Sequence, residues 1–226
     1  MTFAVKVLIW TNVAVFFLTW FVPIVGAYLG LRPRDVFGHF WLWQPVTYMF
    51  IHDGVGHILW NMLILWMFGV ELERLWGTRF FVRFYFVAGV AGAAVTLFVS
   101  LLPYPSVSQL FGALTVGSSG AILGLLLAYA MYFPDRPIYL YFLFAVPAKY
   151  FVLIIGTISV VFASAHSSWT AHLGGLAGGY LFLKFGRARP LAELKYRYFR
   201  WKMNRLRRRF DVHSGGKAKD WDRHIH

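Results

Sequence analysis

The feature that most constrains this chain is a succession of apolar runs, each long enough to cross a lipid bilayer. Hydrocarbon offers no water to bond backbone N–H and C=O groups. A spanning segment must therefore satisfy its own backbone, as a helix does. Six runs of about 17–25 residues meet the length a bilayer demands. They fall at approximately 5–30, 55–75, 80–102, 118–134, 148–165 and 169–185. The expected fold class is all-α, a polytopic membrane protein with six transmembrane helices. The stretch 137–147 is apolar and aromatic but interrupted by Pro147; it is expected at the interface or as an extension of the fifth span. The first run is too long for a signal-peptide core and lacks a clear cleavage site, so it reads as a retained span. Charge agrees with this reading, since 14% of residues are charged against about 25% in soluble domains. Cysteine is absent, which excludes disulfides and thiolate metal sites.

The net charge of +13 is concentrated rather than spread. Beyond Phe182, basic residues crowd from Lys184 through Arg187, Arg189, Lys195 and Arg197 to Arg207, Arg208 and Arg209. Because this run follows an apolar segment, it reads as a cytoplasmic tail beside anionic lipid rather than a nucleic-acid surface. The expected organisation is a membrane domain over 1–186 and a basic cytoplasmic tail over 187–226. Phe199, Met203, Leu206 and Phe210 recur at helical spacing there, which predicts an amphipathic helix at about 191–210 with a disordered end. Basic residues also orient the chain. With the N-terminus inside, only Arg32 and Arg34 of the 22 Lys and Arg residues face outside. Both termini are then cytoplasmic. The first outer loop, 31–54, carries Phe37, Phe40, Trp41, Trp43, Tyr48 and Phe50, a composition suited to the bilayer interface.

Polar residues are costly in hydrocarbon, so their positions are informative. His57 and Asn61 open the second span, Gly117-Ser118-Ser119-Gly120 the fourth, and His172-Leu173-Gly174-Gly175 the sixth. Even-numbered spans all begin outside, so these clusters share one depth just below the outer surface. Taken singly, each has a bland reading. A serine in such a helix bonds its own backbone, a histidine or asparagine bonds a neighbouring helix, and Gly120/Gly124 and Gly175/Gly179 are small-residue pairs for close helix packing. Four polar groups at one depth on three helices ask for more than that, and the packing glycines are what would bring the fourth and sixth spans together.

Acyl transfer needs these residue types. A serine hydroxyl becomes nucleophilic when a neutral histidine takes its proton, and the tetrahedral intermediate needs donors on its oxyanion, each worth about 3–4 kcal/mol. The catalytic pair is read as Ser119 and His172. His57 and Asn61, four apart and so on one helical face, are read as oxyanion donors with the Ser119 amide. No acidic residue is placed to orient His172, which makes this a dyad. His52 and His166 are the competing histidines. Glu71 and Glu73, at the inner end of the second span, are expected to pair with Arg74 or Arg79. No His/Asp/Glu set shows metal spacing, and no cofactor is called for.

At these residues the chain resembles the rhomboid family. Its Gly-x-Ser-Gly motif matches Gly117 to Gly120, its His-xxx-Asn matches His57 and Asn61, and its last-span His-xx-Gly-xxx-Gly matches His172, Gly175 and Gly179. Glu73 and Gly77 match the close of its second span. The resemblance runs from about Trp43 to Lys184 and rests on all the motifs occurring in order. It implies a six-helix intramembrane serine protease with a cavity open to the outside, cutting single-span membrane protein substrates in or near their transmembrane segments. Two positions depart from the pattern. The Trp-Arg of many members is Trp43-Gln44, and an aromatic four residues after the nucleophile is Leu123. His172 must then be held in another way. The alternative reading is a non-catalytic rhomboid-like protein that binds membrane helices; such relatives typically lack the serine or the histidine. The lack of organelle-targeting features points to a prokaryotic plasma membrane.

Overall fold

Proline and glycine set most of the helix boundaries. The computed structural model describes residues 1–140, 144–161 and 168–186. Helix α1 (Phe3–Phe21) stops before Val22-Pro23, and Pro23 opens α2 (Pro23–Leu29). Proline lacks the N–H that would continue α1 but suits a first helical turn. Pro33 opens α3 (Pro33–His39) in the same way. Helix α4 (Val55–Trp76) contains a π-helical segment at Leu65–Gly69. It ends at Gly77, whose φ of 78° favours glycine. Helices α5 (Thr78–Ser100), α6 (Ser119–Tyr132), α7 (Ala148–Val161) and α8 (Ser168–Gly186) follow.

The chain is helical, as the apolar runs predict. Helices α1, α4 and α5 are long and apolar enough to cross a bilayer. Helices α6 and α7 are apolar but have 14 residues each, about 21 Å at 1.5 Å per residue. The first predicted span is shortened by the break at Pro23. Two segments within 137–147 do not extend the fifth helix. They form β1 (Pro137–Leu140) and β2 (Phe144–Pro147), an antiparallel pair with Ile138 opposite Val146 and Tyr139 opposite Ala145. Aromatic and branched residues favour a pleated strand, and Pro147 marks its end rather than a kink in a helix. The basic tail with its predicted amphipathic helix, and His166, lie outside the described residues.

Burial is distributed as lipid solvation requires. Large apolar side chains point outward, among them Trp10, Trp20, Phe21, Leu59, Trp60 and Leu153, each at least half exposed. Polar Asn12, Thr96, Thr170 and Ser118 are fully buried, and the hydroxyls of Thr96 on α5 and Thr170 on α8 lie 2.7 Å apart. The segment 31–54 is anchored at Gln44. Gln44, fully buried, accepts the Arg32 N–H at 3.0 Å and donates to the Tyr28 carbonyl at 3.3 Å. Trp43 Nε1 donates to the same carbonyl at 3.1 Å, and the Thr47 hydroxyl donates to the Leu29 carbonyl at 2.6 Å.

The acidic pair on α4 departs from the sequence expectation. Glu73 is buried and accepts the backbone N–H groups of Ala4 and Val5 at 3.0 Å each, plus the Thr78 hydroxyl at 2.8 Å. Those amides belong to the first turn of α1, where N–H groups lack intrahelical acceptors and the helix dipole favours an anion. Glu71 pairs with Arg136 at 2.6 Å and accepts from the Tyr129 hydroxyl. Residues one or two apart on a helix do not share a face. Each carboxylate therefore meets a different neighbour, and the partners are not Arg74 or Arg79. Because Glu73 holds α1 to α4 through charge-assisted bonds, Glu73→Ala is expected to lower the unfolding free energy in detergent by about 2–4 kcal/mol. Glu71→Ala, which breaks a half-exposed pair, is expected to cost about 1 kcal/mol or less; chemical denaturation followed by tryptophan fluorescence checks both.

Candidate active site

Ser119 is the first residue of α6, and the turn before it depends on glycine. Gly117 has φ of 112°, a region that side chains disfavour. A Cβ there would also lie 2.7 Å from His57 Cε1 and 2.8 Å from His57 Nε2. Glycine thus serves both the turn and the close approach of His57. The Gly117 N–H donates to the Tyr48 carbonyl at 2.9 Å, which ties this turn to the first outer loop. As the first residue of the helix, Ser119 has a backbone N–H without an intrahelical acceptor, at the positive end of the dipole.

His172 comes from the first turns of α8 and is 8% exposed. Its Nε2 lies 2.8 Å from Ser119 Oγ, and its Nδ1 lies 2.7 Å from the Ser159 carbonyl on α7. A carbonyl only accepts, so Nδ1 carries the proton and Nε2 presents its lone pair to the serine hydroxyl. This is the tautomer a general base requires. The orienting group is a backbone carbonyl of α7. It does the holding that an aromatic at Leu123 does not.

Small residues permit this approach. A Cβ on Gly175 would overlap the backbone of Gly120. One on Gly120 would lie 2.7 Å from the Ala171 carbonyl, one on Gly124 3.0 Å from the Gly175 carbonyl, and one on Gly179 3.1 Å from Gly124 Cα. Helix α5 joins the same contact. Cβ atoms on Gly92 and Gly174 would each meet the other helix's backbone at 2.7 Å.

The remaining polar residues gather around Ser119 to different degrees. His57 places its Nε2 edge against Gly117, and its Nδ1 lies 2.6 Å from Asp53 Oδ1. Asn61 is buried and donates one amide N–H to the His57 carbonyl at 2.9 Å; its second N–H is not committed by that bond. His52 lies beside Ser118 rather than Ser119, with Nε2 at 3.5 Å from Ser118 Oγ. Burial, reinforced by the neighbouring His57 ring, pushes its pKa down to about 4, so it is neutral near pH 7. Among the described residues no three His, Cys, Asp or Glu side chains group to hold a metal ion. Two participants escape a sequence reading. The Ser159 carbonyl has no side-chain signature. Asp53 was visible only as an acidic residue four before His57, on the same helical face had the helix started earlier.

Comparison with known proteins gives a consistent match. A family model for the Rhomboid domain matches residues 38–189, more than half of the chain. Rhomboid protease GluP of Bacillus subtilis is 33% identical over 141 residues, which cover 61% of this chain and 25% of that protein. Rhomboid protein 1, mitochondrial, of Saccharomyces cerevisiae is 32% identical over 139 residues, 59% of this chain and 38% of the relative. RHOMBOID-like protein 1 of Arabidopsis thaliana is 32% identical over 164 residues, 72% of this chain and 38% of the relative. The chain thus spans well under half the length of these relatives.

The α6–α8 contact generates a direct test of the geometry. Gly175→Val is expected to force the two helices apart, lower the thermal midpoint by several degrees, and reduce labelling of Ser119 by a fluorophosphonate at least tenfold. A thermal shift assay and gel fluorescence with the purified variant check the two effects.

Proposed function

The chain belongs to the rhomboid family, and we propose that it is a serine endopeptidase that hydrolyses peptide bonds in or near transmembrane segments of membrane proteins. The observation that supports this most is the 2.8 Å contact of Ser119 Oγ with His172 Nε2, in the tautomer imposed by the Ser159 carbonyl. In this reading Ser119 Oγ attacks the scissile carbonyl carbon while its proton moves to His172 Nε2. The oxyanion forms beside the Ser119 N–H, His57 and Asn61. His172 then gives the proton to the departing amine, which leaves an acyl-enzyme. A water molecule, deprotonated by the same nitrogen, releases the acid and restores Ser119.

The expected substrates are single-span proteins with both partners held in the same bilayer. A transmembrane helix hides its carbonyls in internal hydrogen bonds, so cleavage favours a site near the outer end, where the helix unwinds most easily. Helices α1, α4, α5, α6, α7 and α8 are taken to span the membrane, with both termini cytoplasmic and the basic tail against anionic lipid. A prokaryotic plasma membrane fits this orientation.

Cleavage of a single-span model substrate in liposomes tests the proposal. Wild-type protein is expected to cut it, and Ser119→Ala and His172→Ala are each expected to lower turnover by at least a thousandfold. Activity surviving Ser119→Ala would overturn the assignment. Inactivity of the wild type across several substrates and lipids would favour a helix-binding member without catalysis.

A further inference from the structure

His57 is engaged at both edges of its ring. Nδ1 lies 2.6 Å from Asp53 Oδ1. The opposite edge, Cε1 and Nε2, packs against Gly117 at a point where a Cβ would also stand 3.7 Å from Ser119 Oγ. The ring thus reaches from a surface carboxylate to the Gly117 turn that precedes Ser119. An ionised carboxylate only accepts, so Nδ1 is the donor in the bond to Asp53. In the neutral ring that leaves Nε2 without a proton. A donor from Nε2 to a substrate oxygen then requires the imidazolium form, and that form needs a counter-charge.

The groups around the ring leave one source for it. The His52 ring stands edge-on at 5.0 Å between centroids and is neutral near pH 7. His172, on α8, is neutral before it takes the Ser119 proton and cationic afterwards, so it supplies no negative charge. Asn61, one turn along α4, is uncharged and bonds the His57 carbonyl. Asp53 is the carboxylate in contact with His57.

We propose that Asp53 is a positioning residue for the oxyanion site: its carboxylate fixes the rotation of His57 and balances a doubly protonated ring whose Nε2–H donates to the oxyanion. This rests on the reading of Ser119 as nucleophile. A purely structural account is available, since Asp53 precedes the first turn of α4 and an acidic residue there favours the helix dipole. The two accounts separate experimentally. The Asp53 side chain is 72% exposed, so its pairing adds little to folding, and its effect on reaction at Ser119 is not masked by unfolding.

The test uses the full chain in detergent and a fluorophosphonate probe, whose phosphorus is attacked by an active serine with loss of fluoride. Wild type is expected to react in a Ser119-dependent way. Asp53→Ala is expected to lower the maximal inactivation rate about tenfold or more, as partial loss of an oxyanion donor should. Its half-saturating probe concentration and thermal midpoint should stay unchanged, and Asp53→Glu should recover most of the rate. Combined with His57→Gln, Asp53→Ala should add no further loss. Nitrogen-15 histidine spectra of the phosphonylated protein should show both His57 ring nitrogens protonated in wild type and one in Asp53→Ala. A wild-type rate in Asp53→Ala, with Ser119 still required, would overturn the inference and leave the nucleophile standing. An equal loss in the His57→Gln background would overturn it in favour of the structural account. No reaction of the wild type would overturn both readings.

Discussion

Gly175 rests directly on the backbone of Gly120, with no side chain between them, and the spacing of α6 and α8 follows from that contact. In lipid, helices gain nothing from leaving water, so close van der Waals packing and interhelical hydrogen bonds must hold them together. Bare backbone gives the closest packing. Here it recurs along one seam, with Gly124 against Gly175, Gly179 against Gly124, and Gly174 against Gly92 of α5. Ser119 and His172 each stand next to this seam, one residue before Gly120 and three before Gly175. Their 2.8 Å separation is therefore a property of two rigid backbones rather than of two flexible side chains.

The same economy governs polar groups elsewhere in the protein. A polar atom facing hydrocarbon needs a partner, and several partners here are backbone groups that a helix leaves open anyway. Glu73 takes two free amides at the start of α1. Gln44 and Trp43 share the Tyr28 carbonyl near the end of α2. This explains how the segment 31–54 stays fixed with glutamine at position 44. Gln44 needs no counter-ion, since its amide donates and accepts at once.

The grouping of Ser119, His172, His57 and Asn61 was legible in the sequence because the expected membrane topology converts order along the chain into depth. Helices that start on one side place their first polar residues at one level, and few side chains there are polar. The helical fold was legible for a related reason, since the backbone has few other choices in a bilayer. Other features depend on contacts that carry no such constraint. The strand pair at 137–147 reads as apolar in either setting, and its pairing is decided by neighbours. Glu71 and Glu73 were matched to nearby arginines in sequence, whereas helix geometry sends them to Arg136 and to α1. The glycine and alanine face of α5 was missed because it contains no reactive residue to draw notice.

In the proposed mechanism the Ser159 carbonyl takes the orienting part that a third side chain plays in a triad. A soluble protease orients its histidine with a buried carboxylate, but an ionised carboxylate within a membrane domain carries a desolvation cost of several kcal/mol. Holding Nδ1 with the uncharged Ser159 carbonyl selects the tautomer in a single contact. The carbonyl supplies no full negative charge, so an imidazolium formed in the proposed reaction gains less stabilisation than in a triad. The charge that a triad keeps behind its base is found here, in the proposed mechanism, on the other side of the substrate. Asp53 stands behind His57 near the aqueous surface, where an ionised carboxylate costs little to maintain.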